Sequence, residues 1–234
     1  MKYLNIVWIY FKNNSGEVLF TKAGGAKLLT IYLTRHGETV WNIENRLQGS
    51  KDSELTASGI IDAKLLSNKL AKVSFSKIYT SSSKRAVTTA NILRNNSSIP
   101  IIEEDDLKEI NFGEWEGKTK KEINDCFENE FESLWKTPHL YDHRPHQGES
   151  LLALTERVGN VIQTILNSNE EGNILIVTHA VVLAAIVAHL KQSPIEKLWD
   201  LPYVHGTSLT IINFGEEKEL DFMLLCDTTH LNRI

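Results

Sequence analysis

The 234-residue sequence is poor in cysteine, carries no excess of positive charge and has no long hydrophobic run. Its two cysteines, Cys126 and Cys226, are far apart and form no C-x-x-C pair. That excludes a disulfide framework and a cysteine-based zinc site, and it suits a reducing cytoplasm with two inert thiols. The formal net charge is −5, so the basic footprint of a nucleic-acid-binding protein is missing. Phosphate binding stays open, provided a few cations converge locally. No apolar stretch is long enough for a transmembrane helix. The N-terminal block "YLNIVWIYF" is aromatic and β-branched and runs into polar "KNNSGE", without a convincing cleavage site. The expected location is cytoplasmic, with no membrane or nucleic-acid partner. Neither internal repeats nor low-complexity segments are visible.

What is present divides at about residue 27. Residues 1–27 form an expected N-terminal extension, either disordered or a hairpin of "YLNIVWIYF" and "EVLFT" around "NNSG", with "KAGGAK" as linker. A misplaced start site would explain them equally well. Residues 28–234 form the expected main domain.

From Leu28 onward strands and helices alternate. "LLTIYLT" (28–34) is continuously apolar, as in a strand buried on both faces. Residues 54–73 place Ile60, Ala63, Leu66, Leu70 and Val73 at helical spacing, with Thr56 as cap. "SKIYTSS" (76–82) is a strand. A helix over 84–96 follows it, with Ser82 or Ser83 as cap. "IPIIEE" (99–104) is a further strand. Helices are expected over 118–135 and 149–166, a strand over 173–179, and a helix over 181–190 before Pro194. "TSLTIINFGEEKELDFMLLCD" (207–227) reads as a two-stranded hairpin. This alternation predicts an α/β fold with helices on both faces of a mostly parallel sheet and an antiparallel hairpin at one edge.

In open α/β sheets, ligands sit beyond the carboxyl ends of the strands. One strand here ends on Arg35-His36, one just before Lys84-Arg85, and one on His179. Each of these residues has an ordinary structural role open to it when taken alone. A histidine at a strand end is a satisfied polar residue, a metal ligand, a base or a nucleophile, and a helix-opening arginine is usually salt-bridged. Two arginines and two histidines at three parallel strand ends, which should share one edge of the sheet, point to an anion pocket. Guanidinium groups match phosphate oxygens and repel a metal cation. The N-termini of the following helices are expected to add backbone N–H donors. A neutral imidazole attacks phosphorus if its other nitrogen is held, and a carbonyl in the Gly37 turn is suited to hold it. Attack produces a phosphohistidine. A leaving alkoxide then needs a proton, for which Glu109, between Leu107 and Ile110, is the candidate; the alternative is an acidic surface run from Glu103.

Six blocks in consistent order, "LTRHGETVWN", "RLQGSKDSELTASG", "YTSSSKRAVTTA", "LKEINFGEWEG", "GESL" and "IVTHA", resemble the histidine phosphatase superfamily, the phosphoglycerate mutase-like group, over about residues 28–230. The resemblance implies a three-layer α/β/α sandwich and a phosphohistidine mechanism without cofactor or metal. His36 matches the nucleophile and Glu109 the proton donor. Arg35, Arg85 and His179 match phosphate-binding residues. Asn42 matches a further phosphate contact, and Gln48 and Gly49 match the loop beside the site. Glu38, Glu149 and Ser150 are expected to be structural. Ala180 departs from the glycine that many relatives carry there, and the first 27 residues have no counterpart.

The short stretch between Glu109 and Glu149 favours hydrolysis of a small phosphorylated substrate over the alternative, a cofactor-dependent phosphoglycerate mutase. A phosphate-binding module without turnover is a third reading. The loop "KTPHLYDHRPHQ" holds His139, His143, Arg144 and His146. It either covers the site and sets leaving-group specificity or is a solvated surface loop. His205 is expected to be structural.

Overall fold

A computed structural model describes residues 8–12, 18–22, 28–215 and 220–231. Strands β1 (Trp8–Lys12) and β2 (Val18–Lys22) pair antiparallel as a two-stranded sheet of their own. The expected turn "NNSG" and the linker fall outside the described residues.

The main sheet has six strands: β3 (Leu29–Arg35), β4 (Phe75–Ser81), β5 (Ile101–Glu104), β6 (Gly172–Thr178), β7 (Leu209–Phe214) and β8 (Leu220–Asp227). Their order is β5-β4-β6-β3-β7-β8. The first four run parallel, and β7 and β8 add antiparallel at one edge. The turn between β7 and β8, residues 216–219, lies outside the described residues.

The continuous apolar strands are buried on both sides because helices cover both faces. In β6, Ile174 and Ile176 face one core, and Leu175 and Val177 face the other. Helices α2 (Ala57–Lys69) and α3 (Lys84–Arg94) close the second core with Leu66, Ala86, Ala90 and Leu93. Helices α4 (Lys120–Lys136), α5 (Leu151–Asn167) and α6 (Ala180–Leu190) pack on the first. The α6 residues are buried all round except Ala180 and His189, as its unbroken apolar sequence requires. The three-layer arrangement thus follows from strand periodicity on one side and helix amphipathicity on the other.

Thr56 caps α2 by accepting from the Gly59 N–H at 2.9 Å, and Ser150 caps α5 through Ala153 N–H at 3.1 Å. Three local expectations need correction. The helix starts after Thr56 as expected, but it stops at Lys69 with Leu70 as its C-cap and does not run on to Val73. Ser83 stands at the N-cap of α3, but its side chain makes no capping bond. Helix α4 is interrupted at Phe127 (φ −140°, ψ 42°), whose ring packs on Trp115 at 6.0 Å. A one-turn helix, α1 (Val40–Ile43), has no periodicity to announce it; Thr39 and Asn42 build it with a capping box.

Candidate active site

The carboxyl ends of β4, β6 and β3 are neighbours, so the three chemistry-bearing strand ends meet at one edge of the sheet. The His36 N–H bonds to the Thr178 carbonyl at 2.9 Å and continues the β3–β6 ladder by one rung. That rung sets the His36 ring beside the His179 ring, with centroids 5.1 Å apart.

His36 is 3% exposed and held through both ring nitrogens. Its Nδ1 lies 2.8 Å from the Gly37 carbonyl, the holding contact expected from sequence. Arg85 Nε donates to its Nε2 at 3.3 Å. A carbonyl only accepts and a guanidinium only donates, so Nδ1 carries the proton and Nε2 the lone pair. Burial and the charges of Arg35 and Arg85 hold the His36 pKa well below the ordinary histidine value. The ring is neutral at neutral pH.

His179 is fully buried, with Nε2 2.8 Å from Ser81 Oγ. Burial, then Arg85, His36 and Arg35, keep it neutral as well. Arg35 donates through Nη1 to the Val204 carbonyl at 3.0 Å. Buried Arg35 Nε and His179 Nδ1 have no hydrogen-bond partner among the described residues. Such groups are costly to leave unpaired, and both belong to this site.

Glu109 is 7% exposed and faces the same cavity. Its carboxylate accepts from the N–H groups of Val181 (3.1 Å), Val182 (3.3 Å) and Ile110 (3.0 Å). Burial raises its pKa above the ordinary glutamate value, against the pull of those N–H groups and of Arg85 and Arg35. This corrects the expected use of the helix N-termini. The positive end of α6 is occupied by Glu109, and the Arg85 N–H at the start of α3 leans toward Asp52 at 3.4 Å. A ligand would be met mainly by side chains.

A cavity of about 490 Å³ opens above this floor. Arg35, His36, Asn42, Gln48 and Glu109 line it, whereas Arg85, His179 and Gly49 stand outside its lining. The Asn42 side chain also accepts from Thr39 N–H at 3.1 Å, and the Gln48 side chain spans Thr39 and Ser53. Gly49 acts through its backbone: its carbonyl accepts from Arg85 Nη2 at 2.9 Å. A side chain there would sit 2.4 Å from both the Ile110 carbonyl and Glu116 Oε1. Glu116, not singled out from the sequence, fixes this loop by accepting from Ser50 and Lys51 N–H at 2.8 and 2.7 Å. Its placement within "GEWEG" gave no signal, because the loop it fixes lies about 65 residues away. Glu38 binds Thr56 Oγ1 at 2.8 Å, and Glu149 pairs with Arg157 at 2.6 Å, so both are structural.

The histidine loop follows its surface reading at His139 and Arg144, which are exposed, and departs from it at His146. None of His139, His143, Arg144 or His146 lines the cavity. His146 is fully buried, stacked at 3.6 Å on Trp115, with Nδ1 3.0 Å from the Phe112 carbonyl and Nε2 2.9 Å from Tyr141 Oη. The loop folds back on Trp115 because that large ring needs cover on the face α4 leaves open. His146→Ala is expected to lower stability by about 3 kcal/mol, from the lost stack and two unmatched polar groups. Urea unfolding measures this; a loss under about 0.5 kcal/mol, the size of an ordinary surface change, would mean that the loop is only surface. The wall of the cavity is aromatic instead. Phe131 and Trp135 of α4 line it with Trp199, whose ring lies 5.0 Å from Trp135 and whose Nε1 donates to the Leu134 carbonyl at 2.8 Å.

The chain belongs to the histidine phosphatase superfamily (branch 1), whose family model matches residues 31–226. It is 28% identical over 204 residues to phosphoserine phosphatase 1 of Hydrogenobacter thermophilus, covering 87% of this chain and 95% of that one. It is 32% identical to a probable phosphoglycerate mutase, GpmB, of Escherichia fergusonii over 71% of this chain and 77% of the relative. Among solved structures, YhfR of Bacillus stearothermophilus superimposes with a TM-score of 0.83 at 42% identity, covering 87% of this chain and all of the other. Membership and the phosphatase relatives support a phosphoric monoester hydrolase, in a family that also contains mutases. Among the described residues no helix is long and apolar enough to cross a membrane.

Proposed function

We propose that the chain hydrolyses phosphomonoesters of small metabolites through a phosphohistidine on His36. The observation that carries this is the neutral His36 ring, its Nε2 lone pair fixed from both sides, next to two buried nitrogens that lack partners. Nε2 attacks phosphorus as the P–O bond to the leaving group breaks. Arg35 Nε and His179 Nδ1 take the phosphoryl oxygens as partners, and Arg85 adds positive charge beneath. Glu109 gives the leaving oxygen its proton. Its carboxylate then takes a proton from the water that attacks the phosphohistidine, and phosphate departs. Asn42 and Gln48 contribute polar contacts from the lining.

Hydrolysis is favoured over mutase chemistry because solvent reaches the wall: Trp135 is 37% exposed and Tyr203 73%. The segment from Glu109 to Glu149 adds only α4 and short turns. The cavity is far larger than a phosphoryl group, and its aromatic wall suits an apolar or planar leaving group. The two free thiols support work in a reducing cytoplasm. The test is phosphate release from a panel of phosphomonoesters. Aryl phosphates are expected to give higher kcat/KM than phosphoserine. Conversion of 3-phosphoglycerate to 2-phosphoglycerate that depends on 2,3-bisphosphoglycerate would replace this reading with the mutase.

A further inference from the structure

Arg85 has no exposed side-chain surface, and all five of its side-chain N–H groups have partners in the protein. Nη1 donates to the Lys51 carbonyl at 3.0 Å and to Asp52 Oδ1 at 3.1 Å. Nη2 donates to the Gly49 carbonyl at 2.9 Å and reaches the Gln48 carbonyl at 3.5 Å. Only Nε–H points at the reacting centre, toward His36 Nε2 at 3.3 Å. The guanidinium therefore does not offer its two-pronged face to a ligand. It is turned so that the prongs grip the 48–52 loop.

Among the described residues Asp52 is the one carboxylate paired with Arg85. It holds residue 85 at two points, the guanidinium through Oδ1 and the backbone N–H through Oδ2 at 3.4 Å. The second contact stands where the α3 cap is otherwise missing. The other loop partners are neutral carbonyls, whereas the charge-assisted bond to Asp52 is the strong member of the set.

We propose that Asp52 is a positioning residue: it fixes the Arg85 guanidinium so that Nε–H alone faces His36 Nε2. This rests on the phosphohistidine reading. Before attack, that N–H orients the Nε2 lone pair, while the Gly37 carbonyl holds the proton on Nδ1. When Nε2 bonds to phosphorus its lone pair is consumed, and the same N–H is released to a phosphoryl oxygen. Asp52 thus acts on the nucleophile and on the transition state through one arginine, without touching substrate.

Asp52→Asn keeps the shape and an acceptor but removes the charge. It is expected to lower kcat about ten- to a hundredfold, the effect of a small displacement of a catalytic group, with KM changed less than about twofold. A ¹⁵N-histidine NMR spectrum should show the His36 Nε2 resonance move as its hydrogen bond from Arg85 weakens, with Nδ1–H still held by the Gly37 carbonyl, a change a merely structural role would not cause. In an Arg85→Ala background, Asp52→Asn should change kcat by less than about twofold, since its effect runs through Arg85. Asp52→Ser, expected to act in the same direction, serves if the asparagine variant does not fold. Wild-type kcat and Nε2 resonance in the folded variant, or losses that multiply in the Arg85→Ala background, would overturn the proposal. A failure of the phosphohistidine reading looks different: His36→Ala then turns over like wild type, and the Nε2 resonance still tests the placement of Arg85.

Discussion

His36→Ala is expected to lose phosphomonoester turnover by roughly 10⁴-fold or more, the scale seen when a nucleophile is removed. The size follows from the site. Nε2 is the lone pair presented at the cavity floor, and its partner nitrogen is committed to the Gly37 carbonyl. His179 is a poor substitute, because its Nε2 is engaged with Ser81. Rapid acid-free quenching with a radiolabelled substrate should trap an acid-labile, base-stable phosphoryl label on the wild type and none on the variant. A label that persists in His36→Ala, or that maps to His179, would show that the nucleophile is misassigned. Because burial and two arginines depress the His36 pKa, the nucleophile stays unprotonated well below the ordinary histidine range. The acid limb of kcat/KM is accordingly expected below that range, not near neutrality.

The second large effect is expected at Glu109, and it depends on the leaving group. As an acid, Glu109 must be protonated, and burial raises its pKa above the usual carboxyl value. Activity toward alkyl phosphates should therefore fall as pH rises through that raised value, and the optimum should be mildly acidic. Glu109→Gln removes the proton but keeps an amide oxygen for the N–H groups of Ile110 and Val182, which share Oε1, while Val181 N–H loses its acceptor at Oε2. It is expected to lower kcat for alkyl phosphates by about 10²–10⁴-fold and to flatten the alkaline limb. Loss for p-nitrophenyl phosphate should be much smaller in the phosphorylation step, since p-nitrophenolate leaves without a proton. Equal losses on both substrates would falsify the acid role and leave Glu109 as a brace for α6.

Much of this site was legible in the sequence because strand ends carry a simple rule. A parallel strand buried on both faces must be apolar throughout, so the first polar residues after it mark the sheet edge where ligands bind. That logic found Arg35, His36, Arg85 and His179, and the carbonyl beside Gly37. Apolar neighbours around Glu109 announced an inward carboxyl. Thr56 and Ser150 were legible as caps because a cap is a local hydrogen bond, completed within three residues.

Other features had no local signal. The sequence offered two arginine forks and free helix N-termini for an anion. Packing committed the prongs of Arg85 to residues 48–52 and the N-terminus of α6 to Glu109. Each partner lies more than 30 residues away, and neither periodicity nor propensity encodes such a pairing. The histidine loop misled for the same reason: His146 has the polarity of a surface residue until Trp115 stacks on it. The aromatic wall of Trp135 and Trp199 likewise exists only once α4 meets the segment after α6. The sequence by itself determined the layers, the strand ends and the reacting groups, because these follow from local burial patterns. The tertiary structure decided how each donor is spent, because hydrogen bonds between distant segments are chosen only when the chain has packed.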